Sequence, residues 1–208
     1  MIKWLHKKLF GKSVPVREGS LLTVGDLAGF RALSGEDAFE KALILSEFQG
    51  FGDSVVATNG QILLVTYESE CRADVLRATC RIEGDLIKTW IDQVFADDLM
   101  QRFHFNDYST FFRVRDLDDS GSSCRCTTKT ASSEPCLECR GVGITYPDFQ
   151  IQGMWFRGCF RGLLERLDAR YIPAKEDDFV RTELRDWQSY FWFPQGLIAL
   201  MPLRRTFN

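Results

Sequence analysis

The sequence predicts an α+β fold: a mixed or antiparallel sheet with a β-hairpin, packed helices, and a zinc-knuckle loop inserted among them. Three observations carry this expectation. Asn59-Gly60 stands between two apolar, β-branched runs, the signature of a tight hairpin. Segments with apolar residues at helical spacing flank that hairpin on both sides. Strands and helices do not alternate regularly, as a parallel α/β sheet would require.

In chain order, residues 2–10 can form a short helix with Ile2, Leu5 and Leu9 on one face and lysines opposite. Such a helix either docks on a membrane surface or partner, or lies on its own domain. Thr23 and Asp26 are spaced as a cap pair ahead of Leu27, Phe30 and Leu33. Ser34 stands three residues before Asp37, and Phe39, Leu43, Ile44 and Phe48 follow at helical spacing. These predict a helix over Glu36–Phe48, ended by Gly50. The hairpin follows, with Ser54–Thr58 and Gln61–Tyr67 as its arms. Residues 78–83 read as a strand, Asp85–Phe95 as a helix and Thr110–Val114 as a strand. Beyond the cysteine-rich loop, Phe149–Phe156 reads as a strand, Arg161–Tyr171 and Asp177–Tyr190 as helices, and Gly196–Met201 as a last strand. The aromatic cluster Trp187, Tyr190, Phe191, Trp192 and Phe193 fits a helix end packed into the core or an interface anchor. There is no internal repeat.

Composition agrees with a folded, self-sufficient chain. Its 208 residues are 45 % hydrophobic, 13 % aromatic and 26 % charged, the balance of a globular protein. The whole length, 1–208, reads as one α+β domain with 116–147 as a zinc-binding insertion. The net charge of −3 gives no general attraction to nucleic acid. Charge is unevenly placed: residues 34–107 hold 14 acids against 6 bases, while residues 1–17 carry Lys3, Lys7, Lys8, Lys12 and Arg17 and no acid. The start, Met1–Phe10, spreads its charges instead of setting an apolar stretch behind a basic tip, so no secretory signal is read there. The aliphatic runs Ile62–Val65 and Leu197–Met201 are far shorter than a transmembrane segment. A cytoplasmic location follows as the expectation, with the seven cysteines kept as thiols.

Those cysteines carry the main chemical signal. From Asp116 to Pro147 the chain is rich in Ser and Thr and poor in large apolar residues, too little to order itself by burial. Within it stand Cys124-Arg-Cys126, nine intervening residues, then Cys136-Leu-Glu-Cys139-Arg-Gly141-Val-Gly143. Two close-set thiol pairs joined by a loop supply the four soft ligands of a tetrahedral zinc site. Cys124, Cys126, Cys136 and Cys139 are therefore the candidate ligands of a structural Zn²⁺. Gly141 and Gly143 ease the sharp turn beside the second pair. Arg125, Lys129 and Arg140 offset the formal −2 of a zinc tetrathiolate. A redox CxxC and free loop thiols are the competing readings. Cys71, Cys80 and Cys159 lie among apolar positions and read as small buried hydrophobes, with Cys159 a subsidiary ligand candidate.

The pattern CxxCxGxG at Cys136–Gly143 resembles one repeat of the zinc region of DnaJ-type co-chaperones, over eight residues. Its partner pair here is CxC and no His-Pro-Asp tripeptide occurs, so the resemblance implies zinc binding and not J-domain activity. The order CxC then CxxC is similar to the redox-switched zinc centre of a bacterial heat-shock chaperone family, which spaces its pairs far more widely.

No catalytic arrangement emerges. His6 and His104 are the only histidines, and neither lies near a nucleophile motif. Pro135-Cys136-Leu-Glu-Cys139 matches half of a zinc-deaminase signature, but no His-x-Glu or Cys-x-Glu supplies the general acid/base. Phosphate-binding glycine loops are absent, and Asp97-Asp98, Asp118-Asp119 and Asp177-Asp178 read as solvated pairs. The expectation is a non-enzymatic protein-interaction factor of inhibitor, immunity or adaptor type, its partner another protein. Size and mild acidity associate it with accessory proteins of bacteria or their phages. Nucleic-acid binding through Arg125, Lys129 and Arg140, and a redox-responsive chaperone or sensor, are the alternatives.

Overall fold

The structure is a computed structural model of the chain and describes residues 20–31, 47–81, 111–118, 121–125, 136–173 and 189–203. It is α+β, with a mixed, mainly antiparallel open sheet and a few short helices.

Helix α1, Val24–Ala28, opens on the cap pair read from the sequence: Thr23 Oγ1 accepts from Asp26 N at 3.2 Å, and Thr23 N donates to Asp26 Oδ2 at 2.9 Å. Leu27 and Phe30 go into the core beneath it. Strand β1, Phe48–Phe51, is followed by β2, Ser54–Thr58, and β3, Ile62–Tyr67. Phe48 fits a helical stripe on paper, yet it lies in β1, and Gly50 pairs with Val55 on one side and Arg81 on the other. Neighbouring strands outweigh local propensity there. The rest of the expected Glu36–Phe48 helix, up to residue 46, lies outside the described residues.

The β2–β3 hairpin forms as expected, in register Thr58↔Leu63, but its turn sits one residue later than Asn59-Gly60. Asn59 N donates to Ile62 O, and Asn59 Oδ1 accepts from Gln61 N and Ile62 N. Gly60 takes φ +86° at the first central position, where such a turn needs a residue free of a Cβ.

Helix α2, Ala73–Ala78, leads into β4, Thr79–Arg81, which runs parallel to β1 and occupies part of the expected 78–83 strand. Of the expected strand Thr110–Val114, the described part makes only a bridge from Arg113 to Arg170 before a 3₁₀ turn over Val114–Asp116. Two short strands, β5 (Ser122–Ser123) and β6 (Ile144–Thr145), pair with each other around the cysteine segment.

Phe149–Phe156 is not one strand but a hairpin of β7, Phe149–Ile151, and β8, Met154–Phe156. Gln152 and Gly153 turn the chain at φ +48° and +84°, the paired positive angles of a type I′ turn. Helix α3 spans Gly158–Arg166 rather than Arg161–Tyr171. Asp148 Oδ1 accepts from Gly158 N at 3.0 Å and so fixes its start. A Schellman motif ends it: Asp168 N reaches Glu165 O, Ala169 N reaches Leu164 O, and Asp168 takes φ +55°. Tyr171 then belongs to β9, Arg170–Ile172.

The last hairpin joins β10, Ser189–Phe193, to β11, Gly196–Leu200, the terminal strand read from the sequence. Ser189 and Tyr190 are strand residues, not a helix end; the remainder of the expected Asp177–Tyr190 helix lies outside the described residues. Among the described residues the sheet has seven strands in the order β4-β1-β2-β3-β11-β10-β9, so β3 and β11 are neighbours although far apart in sequence. Alternate residues Leu64, Phe191, Phe193 and Ile198 join Leu27, Phe30, Phe160 and Leu163 in the core. The opposite set, Val56, Leu63, Val65 and Leu197, is buried as well, as in strands covered on both faces. Of the aromatic run, Tyr190, Phe191 and Phe193 are buried and Trp192 is half-buried, while Trp187 lies outside the described residues; Phe191 meets Phe156 and Tyr171 edge-on at 5.5 and 5.4 Å.

Candidate metal centre

Three of the four expected ligands converge. The sulfurs of Cys124, Cys136 and Cys139 all lie within 4.8 Å of one another, while Cys126 lies outside the described residues. Cys124 follows directly on β5, and its N–H donates to Gly143 O at 2.9 Å. That bond ties the first cysteine segment to the end of the second. In the second segment Arg140 N donates to Cys136 O at 2.7 Å and Val142 N to Cys139 O at 2.9 Å. The chain can curl this tightly because Arg140, Gly141 and Gly143 take φ of +50°, +81° and +81°. The glycines do so without strain, and Arg140 is held there by packing.

Cys124 Sγ and Cys136 Sγ stand 3.9 Å apart. A tetrahedral thiolate site with metal–sulfur bonds of about 2.3 Å has edges of about 3.8 Å, so this separation suits two ligands of one ion. None of the three is in a disulfide. Cys139 is shut in at 1 % exposed, whereas Cys124 and Cys136 are half-buried. Glu138 Oε2 lies 3.9 Å from Cys124 Sγ. Three thiols so placed can hold a metal ion.

The knuckle is seated on helix α3. Val142 packs over Gly162, and the Arg140 carbonyl crosses close to Gly29, next to α1. Arg140 does not stay at the surface to balance charge, as the sequence suggests. It is 8 % exposed, with its guanidinium 5.9 Å from the Phe160 ring, and its Nε and Nη1 have no hydrogen-bond partner among the described residues. It hydrogen-bonds the thiol of Cys159, whose pKa burial nonetheless pushes up. Cys159 is packed against the core and is not among the clustered thiols. Cys71 is buried as expected, with its pKa pushed up to about 11, mainly by that burial. Cys80 departs from expectation: it is exposed on the edge strand β4.

Below the knuckle lies a polar knot that composition alone does not reveal. Arg161, 1 % exposed on α3, donates from Nε to Glu165 Oε1 at 2.8 Å and from Nη2 to Leu117 O at 2.8 Å. Tyr146, just past β6, lies over the guanidinium at 4.7 Å and donates its hydroxyl to Glu165 Oε2 at 2.6 Å. One buried cation thus joins the helix, the 3₁₀ turn and the chain leaving the knuckle. An i,i+4 Arg–Glu pair is the only trace of it in the sequence, and such pairs usually read as surface features.

His6 and His104 lie outside the described residues. Among the described residues, no helix is long and apolar enough to cross a membrane. No family model, curated protein or solved structure matches the chain, so the likeness of Cys136–Gly143 to a DnaJ-type repeat remains confined to its residue pattern.

Proposed function

We propose that Cys124, Cys136 and Cys139, completed by Cys126, hold a structural zinc ion, and that the metal-pinned loop is the recognition surface of a non-enzymatic protein-interaction factor. The convergence of three sulfurs on one point carries the reading. Thiolates are the ligands zinc favours in closed structural sites, and the CxxCxGxG pattern is one that such sites use. A reducing compartment such as the cytoplasm suits thiols held ready for a metal.

The recognition role is supported by what the knuckle turns outward. Leu137, between the paired cysteines, is 53 % exposed, and Ile144 on β6 is 39 % exposed. A polar loop that needs a metal to hold its shape, yet offers large apolar side chains, is suited to seating a partner. Nucleic-acid binding loses support from the same geometry: Arg140 is turned into the core, and on the described knuckle surface Arg125 and Glu138 are both exposed, one charge of each sign.

Elemental analysis of purified protein tests the metal, with one equivalent of zinc expected. Capture from the native host tests the role, comparing wild type with Leu137→Asp and with chelated protein. A partner held by wild type and lost from both others supports the reading. Zinc well below one equivalent, or capture indifferent to both treatments, overturns it.

A further inference from the structure

The three sulfurs of the centre are not equivalent. Cys139 is closed off from solvent, whereas Cys124 and Cys136 each keep an open side and stand 3.9 Å apart. Main-chain bonds place both side by side: Cys124 N to Gly143 O, Arg140 N to Cys136 O, and the β5–β6 pairing. An oxidant arriving from solvent therefore meets two adjacent sulfurs and not the third. Local CxxC spacing alone would instead favour joining Cys136 to Cys139.

We propose that the centre is a modification site for hydroperoxides, which link Cys124 to Cys136 and leave Cys139 a thiol. Sulfur of either accessible residue attacks one peroxide oxygen: an S–O bond forms, the O–O bond breaks, and hydroxide leaves. The second sulfur then attacks the sulfur of the resulting sulfenic acid; the S–S bond forms, the S–O bond breaks and a second hydroxide leaves, the two hydroxides becoming water with the protons the two thiols gave up. The two electrons given up by the sulfurs reduce the peroxide, so no other reagent is needed. Two thiolate donors are lost in the process, and a bound metal is released. The release rests on the zinc reading above; the choice of sulfurs rests only on the chain geometry.

The test uses full-length protein carrying Cys80→Ser, which removes the exposed bystander thiol. Its metal content is measured, one equivalent of hydrogen peroxide is added, free thiols are alkylated, and the linkage is mapped by mass spectrometry. The expected product is a Cys124–Cys136 peptide pair with Cys139 alkylated, with metal release in step. Cys136→Ser loses that product, and Cys139→Ser keeps it. A Cys136–Cys139 or Cys124–Cys126 linkage, or no linkage at all, overturns the inference even in protein that holds zinc. The expected linkage in protein without zinc upholds the inference and instead overturns the zinc reading.

Discussion

A Cβ placed on Gly162 would stand 2.9 Å from Cγ1 of Val142 and 3.2 Å from its Cβ, so the chain leaving the cysteine knuckle rests on the bare backbone of helix α3. Valine is too short and too stiff to swing aside. Gly162→Ala is therefore expected to destabilise the protein by about 1–3 kcal/mol through overpacking, although alanine is intrinsically the better helix former by up to about 1 kcal/mol. Urea unfolding reads the difference. Adding Val142→Ala should recover much of the loss; a single variant more stable than wild type would show that the two segments are not in contact.

The knot around Arg161 gives a second expectation. Glu165→Ala leaves the buried guanidinium without its carboxylate and should cost about 3 kcal/mol, the lower part of the range for a broken buried pair, because Glu165 keeps some contact with water. Tyr146→Phe removes one hydroxyl bond and should cost about 1 kcal/mol. The double variant should lose less than the sum, since both changes remove the same bond. Strict additivity in denaturant midpoints would refute the shared contact.

Alkaline pH is expected to weaken the fold. Burial, then the hydrogen bond to Glu165 and its charge, push the Tyr146 hydroxyl from 10.0 up to about 12, with Arg161 pulling the other way. Burial above all pushes the Cys71 thiol from 9.0 up to about 11. Both groups prefer their protonated forms in the native state. The stability they contribute is complete below pH 9, falls from pH 9 to 11 for Cys71, and falls from pH 10 to 12 for Tyr146. Urea midpoints measured across this span should decline, and less steeply in Tyr146→Phe. Midpoints that rise with pH would contradict the burial of both groups.

Removing metal should loosen the knuckle before the sheet. Chelator-treated protein is expected to lose hydrogen-exchange protection at the amides of Cys124, Arg140 and Val142, which bond within the knuckle. Amides of Leu64 and Ile198, paired in mid-sheet, should stay protected. Simultaneous loss at all five would mean that the sheet itself depends on the ion.

What the residues disclose in advance is chemistry set by near neighbours. The Thr23–Asp26 cap, the 54–67 hairpin and the last strand, expected to Met201 and ending at Leu200, each depend on a few adjacent side chains, and each appears within a residue of where the spacing places it. The failures share a cause. Phe48–Phe51 is a strand because β2 and β4 bracket it, a contact no window of sequence contains. Gln152 and Asp168 adopt positive φ without being glycine, so residue types alone show neither the turn inside 149–156 nor the helix end before Tyr171. For the metal centre, cysteine spacing brings three sulfurs into view, but the inward turn of Arg140 and the burial of Arg161 are invisible to a reading that keeps arginine at the surface.

The pairing of β3 with β11 places residues 62–67 against residues 196–200 at the middle of the sheet. A ribosome making this chain must pass residue 200 before that seam can close. Until then, two half-sheets wait with open apolar edges, and such long-range closure is slow. Early termination before residue 196 therefore removes the strand that joins both halves, leaving a nascent product suited to chaperone capture or proteolysis rather than a trimmed but working protein.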